Sequence, residues 1–113
     1  MKQYQIFISH AGEDEWIAQQ ISNKLKRKGA STYLDSERML AGANFNDEIL
    51  AQLRKSKELV ALLTKSAIEK KYVWIEIGGM LTMNRRVVGL LQGLTIDDIQ
   101  KHPLHLMRIQ LQR

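Results

Sequence analysis

Cysteine is absent from this 113-residue chain, which removes disulfides, thiolate metal sites and cysteine nucleophiles together and suits a reducing compartment. No apolar run approaches the roughly 20 residues needed to span a bilayer, and the start MKQYQIF lacks both the apolar core and the small-residue cleavage site of a secretory signal. Repeats, linkers and low-complexity segments are missing as well. A cytoplasmic protein without membrane association is therefore expected. The length and the 44% hydrophobic content fit one domain over residues 1–113, with enough for one core and too little for two. No aromatic residue interleaves with the largest basic cluster, Lys24, Lys26, Arg27 and Lys28, so the net charge of +5 does not by itself point to nucleic acid. Cations at the end of a helix are already favoured by its dipole.

What is present is an alternation of short apolar runs with amphipathic segments, the pattern of an α/β fold with a parallel sheet and helices on both faces. Strands are expected at Gln5 to Ser9, Ser31 to Leu34, Glu58 to Leu63, Arg86 to Leu91 and Leu106 to Gln110, with β-branched or leucine-rich interiors suited to burial. Helices are expected at Glu15 to Lys28 before Gly29, Phe45 to Lys55, Tyr72 to Asn84, and a short Ile96 to Lys101 before Pro103. The loop from Asp35 to Asn44 is long and carries Arg38, Met39, Leu40 and Gly42, a composition that suits a binding loop. The final helix of a doubly wound fold is missing after the last strand. The expectation is that another chain covers that edge, or that these residues are the N-terminal part of a longer protein.

Two segments carry candidate chemistry. In IFISHAGEDEW, Ile6 to Trp16, a strand runs into small polar residues and then a helix start, the junction at which α/β folds bind anions and nucleotides. Ser9 to Gly12 can bring backbone N–H groups to a ligand there, and Asp14 is the expected N-cap. On the third long helix Val73, Ile77, Met80 and Asn84 recur at helical spacing and are expected to face the sheet. Glu76 falls roughly 60° to one side of that stripe, at about 100° per residue, with Tyr72 one turn earlier on the same flank. That position puts a carboxylate at the rim of the core, either as a reactive group on a cleft wall or as an ordinary acid near a helix N-terminus. Trp74 and Ile75 point away from the stripe, where they are candidates for contact with a second subunit.

These pieces together resemble the TIR (Toll/interleukin-1 receptor) domain, of the bacterial type, along almost the whole chain. FISHAGED at Phe7 to Asp14 is similar to the family's first box, and YLDSERMLAG at Tyr33 to Gly42 to its second strand and BB loop, with Asp35 and Gly42 at the family's separation. The segment ending in Tyr72-Val73-Trp74-Ile75-Glu76 resembles the piece that in bacterial relatives commonly reads Trp-Val, two variable residues, then Glu. Tyr72 stands here in place of the tryptophan.

The resemblance implies a flavodoxin-like sheet of order 2-1-3-4-5, whose switch point lies between the first and third strands, where Ser9 to Gly12 and the entry to the Glu76 helix meet. It also implies an NAD⁺ nucleosidase or cyclase in bacterial or antiviral defence signalling, with NAD⁺ as substrate and no cofactor or metal. Glu76 would be the catalytic carboxylate. Phe7 and Tyr72 would pack against rings or ribose, and Ser9, His10 and Ala11 would approach ribose or phosphate. Asp35 and Arg38 would belong to the substrate-binding set, Arg38 as a diphosphate partner. Met39, Leu40, Gly42, Trp74 and Ile75 would serve self-association with other TIR domains, as a homo-oligomer or filament. Two alternatives stay open: a non-catalytic TIR interaction scaffold, and a nucleoside deoxyribosyltransferase-like enzyme, which accounts for Glu76 but not for the BB-loop match. A phosphoacceptor receiver is set aside because Thr64 and Lys65 stand where the third strand would have to end in Asp. His102 and His105, with no carboxylate nearby, are read as structural rather than zinc-binding.

Overall fold

The computed structural model describes residues 4–34, 47–101 and 109–112. Five strands, β1 (Gln5–Ser9), β2 (Ser31–Leu34), β3 (Glu58–Leu63), β4 (Arg86–Leu91) and β5 (Gln110–Gln112), form one parallel sheet of order β2-β1-β3-β4-β5. The helices between them are α1 (Glu15–Arg27), α2 (Asp47–Lys55), α3 (Lys71–Thr82) and the short α4 (Ile96–Gln100). β1 lies inside the sheet, with Ile8 opposite Leu34 on one side and Val60 on the other.

Alternation along the strands sends side chains to two cores, because successive residues of a strand face opposite sides. Phe7, Leu59, Ala61, Leu63, Val87 and Leu91 meet Ile49 and Leu53 of α2 and Val73, Ile77 and Met80 of α3. Ile8 and Leu62 meet Ala18 of α1 on the opposite face, with Ile17, Ile21 and Leu25 packed around them. Each fully buried leucine, isoleucine, valine, methionine or phenylalanine among them contributes about 1.5–3 kcal/mol of transfer free energy. The flanking strands restrict bulk in β4: a Cβ on Gly89 would lie 2.7 Å from Leu63 Cδ1 of β3 and 3.1 Å from Leu111 Cδ2 of β5.

α1 and α3 end in the same way. Ala30 N–H bonds the Leu25 carbonyl and Gly29 N–H that of Lys26, with Gly29 at φ +99°; Arg85 N–H bonds Met80 and Asn84 N–H bonds Leu81, with Asn84 at φ +57°. Both are Schellman closures, which need a left-handed residue just past the helix. Asn84 is accordingly exposed, not a fourth core position of the α3 stripe as its spacing suggested.

Four strands coincide with their expected spans. The fifth begins at Gln110, where the expected one ends, because its register is set by Leu111, which packs against the α2–α3 core and lies opposite Gly89. Asp14 precedes α1 as expected, yet its side chain makes no cap bond there. The expected Asp35–Asn44 loop, with Asp35, Arg38, Met39, Leu40 and Gly42, and also Phe45, His102, Pro103 and His105, lie outside the described residues.

Candidate active site

Residues Gln5, Phe7 and Ser9 share one face of β1, the face toward α2 and α3, and they change in character along it. Gln5 bonds the Gln52 carbonyl and the Ser56 hydroxyl at the start of the strand, and Phe7 is fully buried in the middle, its ring 5.3 Å from that of Tyr33. Ser9, at the strand's end, donates its hydroxyl hydrogen to Glu76 Oε1 at 2.6 Å. A hydroxyl donor to a carboxylate at that length is a strong, charge-assisted bond.

Glu76 is only 1% exposed, deeper than the rim position its spacing suggested. The apolar stripe of α3 is wider than Val73, Ile77 and Met80 alone, since Tyr72 is buried too. An ionised carboxylate at such depth is tolerated only where donors replace its lost hydration. The neighbouring loop is equally enclosed. Tyr72 donates its hydroxyl to the His10 carbonyl at 2.9 Å, and His10 Nε2 lies 2.8 Å from Glu15 Oε1. Ala11 is buried in the same core as Tyr72.

The loop continues as one turn of 3₁₀ helix, Gly12–Asp14, and it is pinned to the end of β3. Thr64 donates its hydroxyl to Asp14 Oδ2 at 2.6 Å and accepts the Ala67 N–H at 3.0 Å, so the Asp14 side chain turns to β3 instead of capping α1. Lys70, just before α3, reaches Glu13 Oε2 at 3.6 Å. The Glu13 carboxyl sits below its ordinary range, first through its own backbone N–H and then through Lys70.

Of the residues singled out from sequence, Ser9, His10, Ala11, Tyr72 and Glu76 therefore meet at the carboxyl ends of β1 and β3, the point where strand order reverses. Phe7 and Tyr72 are both buried in the core beside the site. Trp74 is half-buried and bonds the Ile68 carbonyl through Nε1, so its indole is largely engaged within its own chain; Ile75 remains 54% exposed. Sequence reasoning missed Glu15, which it used only as the first residue of a helix, where an acid is favoured by the dipole in any case. It also missed the Thr64–Asp14 link, which joins positions 50 apart. A groove of about 360 Å³ lined by Leu81, Asn84, Arg85, Arg86, Val87 and Gln110 lies at the other end of the sheet, away from Glu76. Among the described residues no group of three or more histidines and carboxylates could hold a metal ion, and no helix is long and apolar enough to cross a membrane.

An all-parallel 2-1-3-4-5 sheet with a buried carboxylate at its switch point defines a flavodoxin-like α/β domain with a polar site at the strand ends. A family model described as TIR domain matches residues 6–112, and the chain belongs to that family. It is 29% identical over 104 residues to the probable 2' cyclic ADP-D-ribose synthase TcpO of Methanobrevibacter olleyae, covering 88% of this chain and 30% of that protein. It is 27% identical over 103 residues to the NAD(+) hydrolase TcpA of a Theionarchaea archaeon, covering 87% and 31%. The 2' cyclic ADP-D-ribose synthase AbTIR of Acinetobacter baumannii is 29% identical over 102 residues, with 86% and 38% covered. The chain thus spans about a third of the length of these curated relatives. Among solved structures, the TIR domains of the activated Roq1 resistosome match at a TM-score of 0.74 and 21% identity, over 88% of this chain and 63% of that one, a likeness of fold.

Proposed function

We propose that the protein cleaves the glycosidic bond between nicotinamide and ribose in NAD⁺, with Glu76 as the catalytic carboxylate. The observation that carries this reading is the buried Ser9–Glu76 pair at the switch point, in a chain whose relatives are named NAD(+) hydrolase and 2' cyclic ADP-D-ribose synthase. Nicotinamide is a neutral leaving group once it departs from its cationic ring, so the electron pair of the breaking C–N bond needs no general acid, unlike ordinary glycoside hydrolysis with two carboxylates. One negative group is then sufficient, holding the ribose hydroxyls and stabilising the positive charge that develops on the sugar. Addition of water, with loss of its proton, yields ADP-ribose; attack by the adenine, or by a ribose hydroxyl with loss of its proton, yields a cyclic isomer. The Ser9–Ala11 loop is the proposed seat of the ribose and phosphate. Asp35 and Arg38 complete the proposed binding set, and the setting is cytoplasmic defence signalling.

Nicotinamide release from NAD⁺ by the concentrated purified chain, followed by mass spectrometry beside Glu76→Ala, tests the reading. Release that vanishes in the variant supports it, and the same trace identifies the product. Release unchanged in the variant, or none at all from assembled wild type, overturns it.

A second proposal is self-association with other TIR domains, favoured by Ile75, which stands exposed on the helix that carries Glu76. Met39, Leu40, Gly42 and Trp74 belong to the same proposal. A sedimentation mass that stays monomeric at concentrations giving full activity would remove it.

A further inference from the structure

The Glu76 carboxylate accepts a short bond from the Ser9 hydroxyl, and Ser9 is the last residue of β1. On its N-terminal side the backbone is fixed by the sheet, with Ser9 opposite Ala61. On its C-terminal side it is fixed by whatever holds residue 10. Two elements on opposite faces of the sheet hold it. From α3 the Tyr72 hydroxyl binds the His10 carbonyl at 2.9 Å, and from α1 the Glu15 carboxylate binds the His10 imidazole at 2.8 Å. A carboxylate can only accept, so Nε2 carries the hydrogen of that bond. The second Glu15 oxygen accepts from Gln19 Nε2 at 3.0 Å, one turn along α1, which steadies the carboxylate.

The His10 side chain is 1% exposed, and its buried Nδ1 has no hydrogen-bond partner among the described residues. Burying a polar nitrogen in that way is costly, so an apolar residue would serve better if filling space were the purpose. The Nε2–H bond to Glu15 is what the imidazole provides. At this depth the ring acts through the backbone it anchors, not by presenting itself to a ligand.

We propose that His10 is a positioning residue for Glu76: its bond to Glu15 fixes the Ser9–His10 backbone, and that backbone sets the hydroxyl which orients the carboxylate. The assignment rests on the reading of Glu76 as the catalytic group. It predicts a particular pattern of rescue. Glutamine places an amide nitrogen close to where histidine has Nε2, whereas asparagine reaches only as far as Nδ1.

The experiment compares wild type, His10→Asn, His10→Gln and Glu15→Ala for NAD⁺ turnover, and also for the side-chain carboxyl ¹³C resonance of Glu76, assigned with Glu76→Gln. His10→Asn is expected to lower kcat on the order of tenfold or more, as small misplacements of a reacting group do, with a smaller rise in KM because the same loop is the proposed seat of ribose and phosphate. It is also expected to displace the Glu76 resonance, and His10→Gln to recover most of both. Glu15→Ala repeats the His10→Asn result and adds little to it in the double variant. Because the Glu15 side chain is 33% exposed, that variant carries the test if His10→Asn does not fold. A loss confined to KM overturns the proposal by making His10 a substrate contact. Glutamine no better than asparagine overturns it too, as does a Glu76 resonance unmoved by His10→Asn or Glu15→Ala. If wild type releases no nicotinamide, the proposed function fails, while the resonance comparison still decides whether His10 positions Glu76.

Discussion

The two ends of the sheet are both rich in polar side chains, and they use them differently. At the amino ends of the strands, Tyr4 donates to Glu58 at 2.6 Å, Arg86 bonds Gln110 at 2.8 Å, and Arg85 caps the end of α2 by donating to the carbonyls of Leu53, Arg54 and Ser56. Most of these groups are exposed or half-exposed, the Gln5–Ser56 bond being a buried one at the same end, and their bonds tie neighbouring elements together. At the carboxyl ends, Ser9, His10, Thr64 and Glu76 are buried, and their bonds join β1, β3, α1 and α3 through side chains that would be cheaper as apolar ones. Polar groups at the surface contribute modest stability wherever geometry allows. Polar groups held out of water at the switch point of the sheet are the ones the proposed ligand would engage.

The largest expected contrast is at Glu76. Glu76→Gln keeps the packing and an acceptor for Ser9, so NAD⁺ turnover should fall by at least about a hundredfold while the melting temperature stays level or rises, because a buried charge has been removed. A variant that loses stability in step with activity would erase the distinction between the two ends. Thr64→Val is next: it leaves the Asp14 carboxylate and the Ala67 N–H without their partner, and chemical denaturation should register a loss of about 1–3 kcal/mol. Activity should fall as well, since the loop carrying Ser9 and His10 loses its anchor on β3.

Arg85→Ala sharpens the comparison from the other end. Removing three charge-assisted bonds to carbonyls should cost about 1–2 kcal/mol in the same denaturation measurement, yet kcat and KM should match wild type. The smallest effect belongs to Tyr4. Its hydroxyl is held above the ordinary tyrosine value of 10.0, chiefly by the hydrogen bond to Glu58. The folded chain thus keeps that proton more tightly than the unfolded one. The contribution is full below pH 10 or so and is lost as pH rises through the folded value. Tyr4→Phe should lower stability by no more than about 0.5 kcal/mol near neutral pH, and the difference from wild type should close in alkaline titration. Asp98 has the opposite sign. The Thr95 N–H and hydroxyl hold its carboxyl below the ordinary 3.8, so the support its capping box gives α4 is present at neutral pH and fades as pH falls through the folded value.

How far the sequence foretold this molecule depends on whether local chemistry or distant partners decided each feature. β1, β3 and β4 were legible as apolar runs bounded by turn residues and helix ends, and β2, half-buried at the edge of the sheet, by its β-branched and aromatic residues just after Gly29. β5 was displaced because only Leu111, opposite Gly89, decides which residues pair. Asn84 matched the helical period but terminates the helix, a role that period alone cannot separate from core. Asp14 has the residue type of an N-cap, and Thr64, distant in sequence, claims its carboxylate. Glu76 was expected at the rim of the core and lies deeper, since spacing gives an angle around a helix and not the width of the surface that covers it. Glu15 was invisible because its partner is a ring whose burial depends on the whole loop.

The pairing of Trp74 Nε1 with the Ile68 carbonyl has an optical consequence. The chain has two tryptophans: Trp16, 73% exposed on the first turn of α1, and the half-buried Trp74, two residues before Glu76 on α3. Their emission should separate into a red, readily quenched component and a bluer, shielded one. With Trp16→Phe, the remaining fluorophore reports from the turn that holds the proposed catalytic carboxylate, giving a label-free signal for ligand entry or for assembly at that helix.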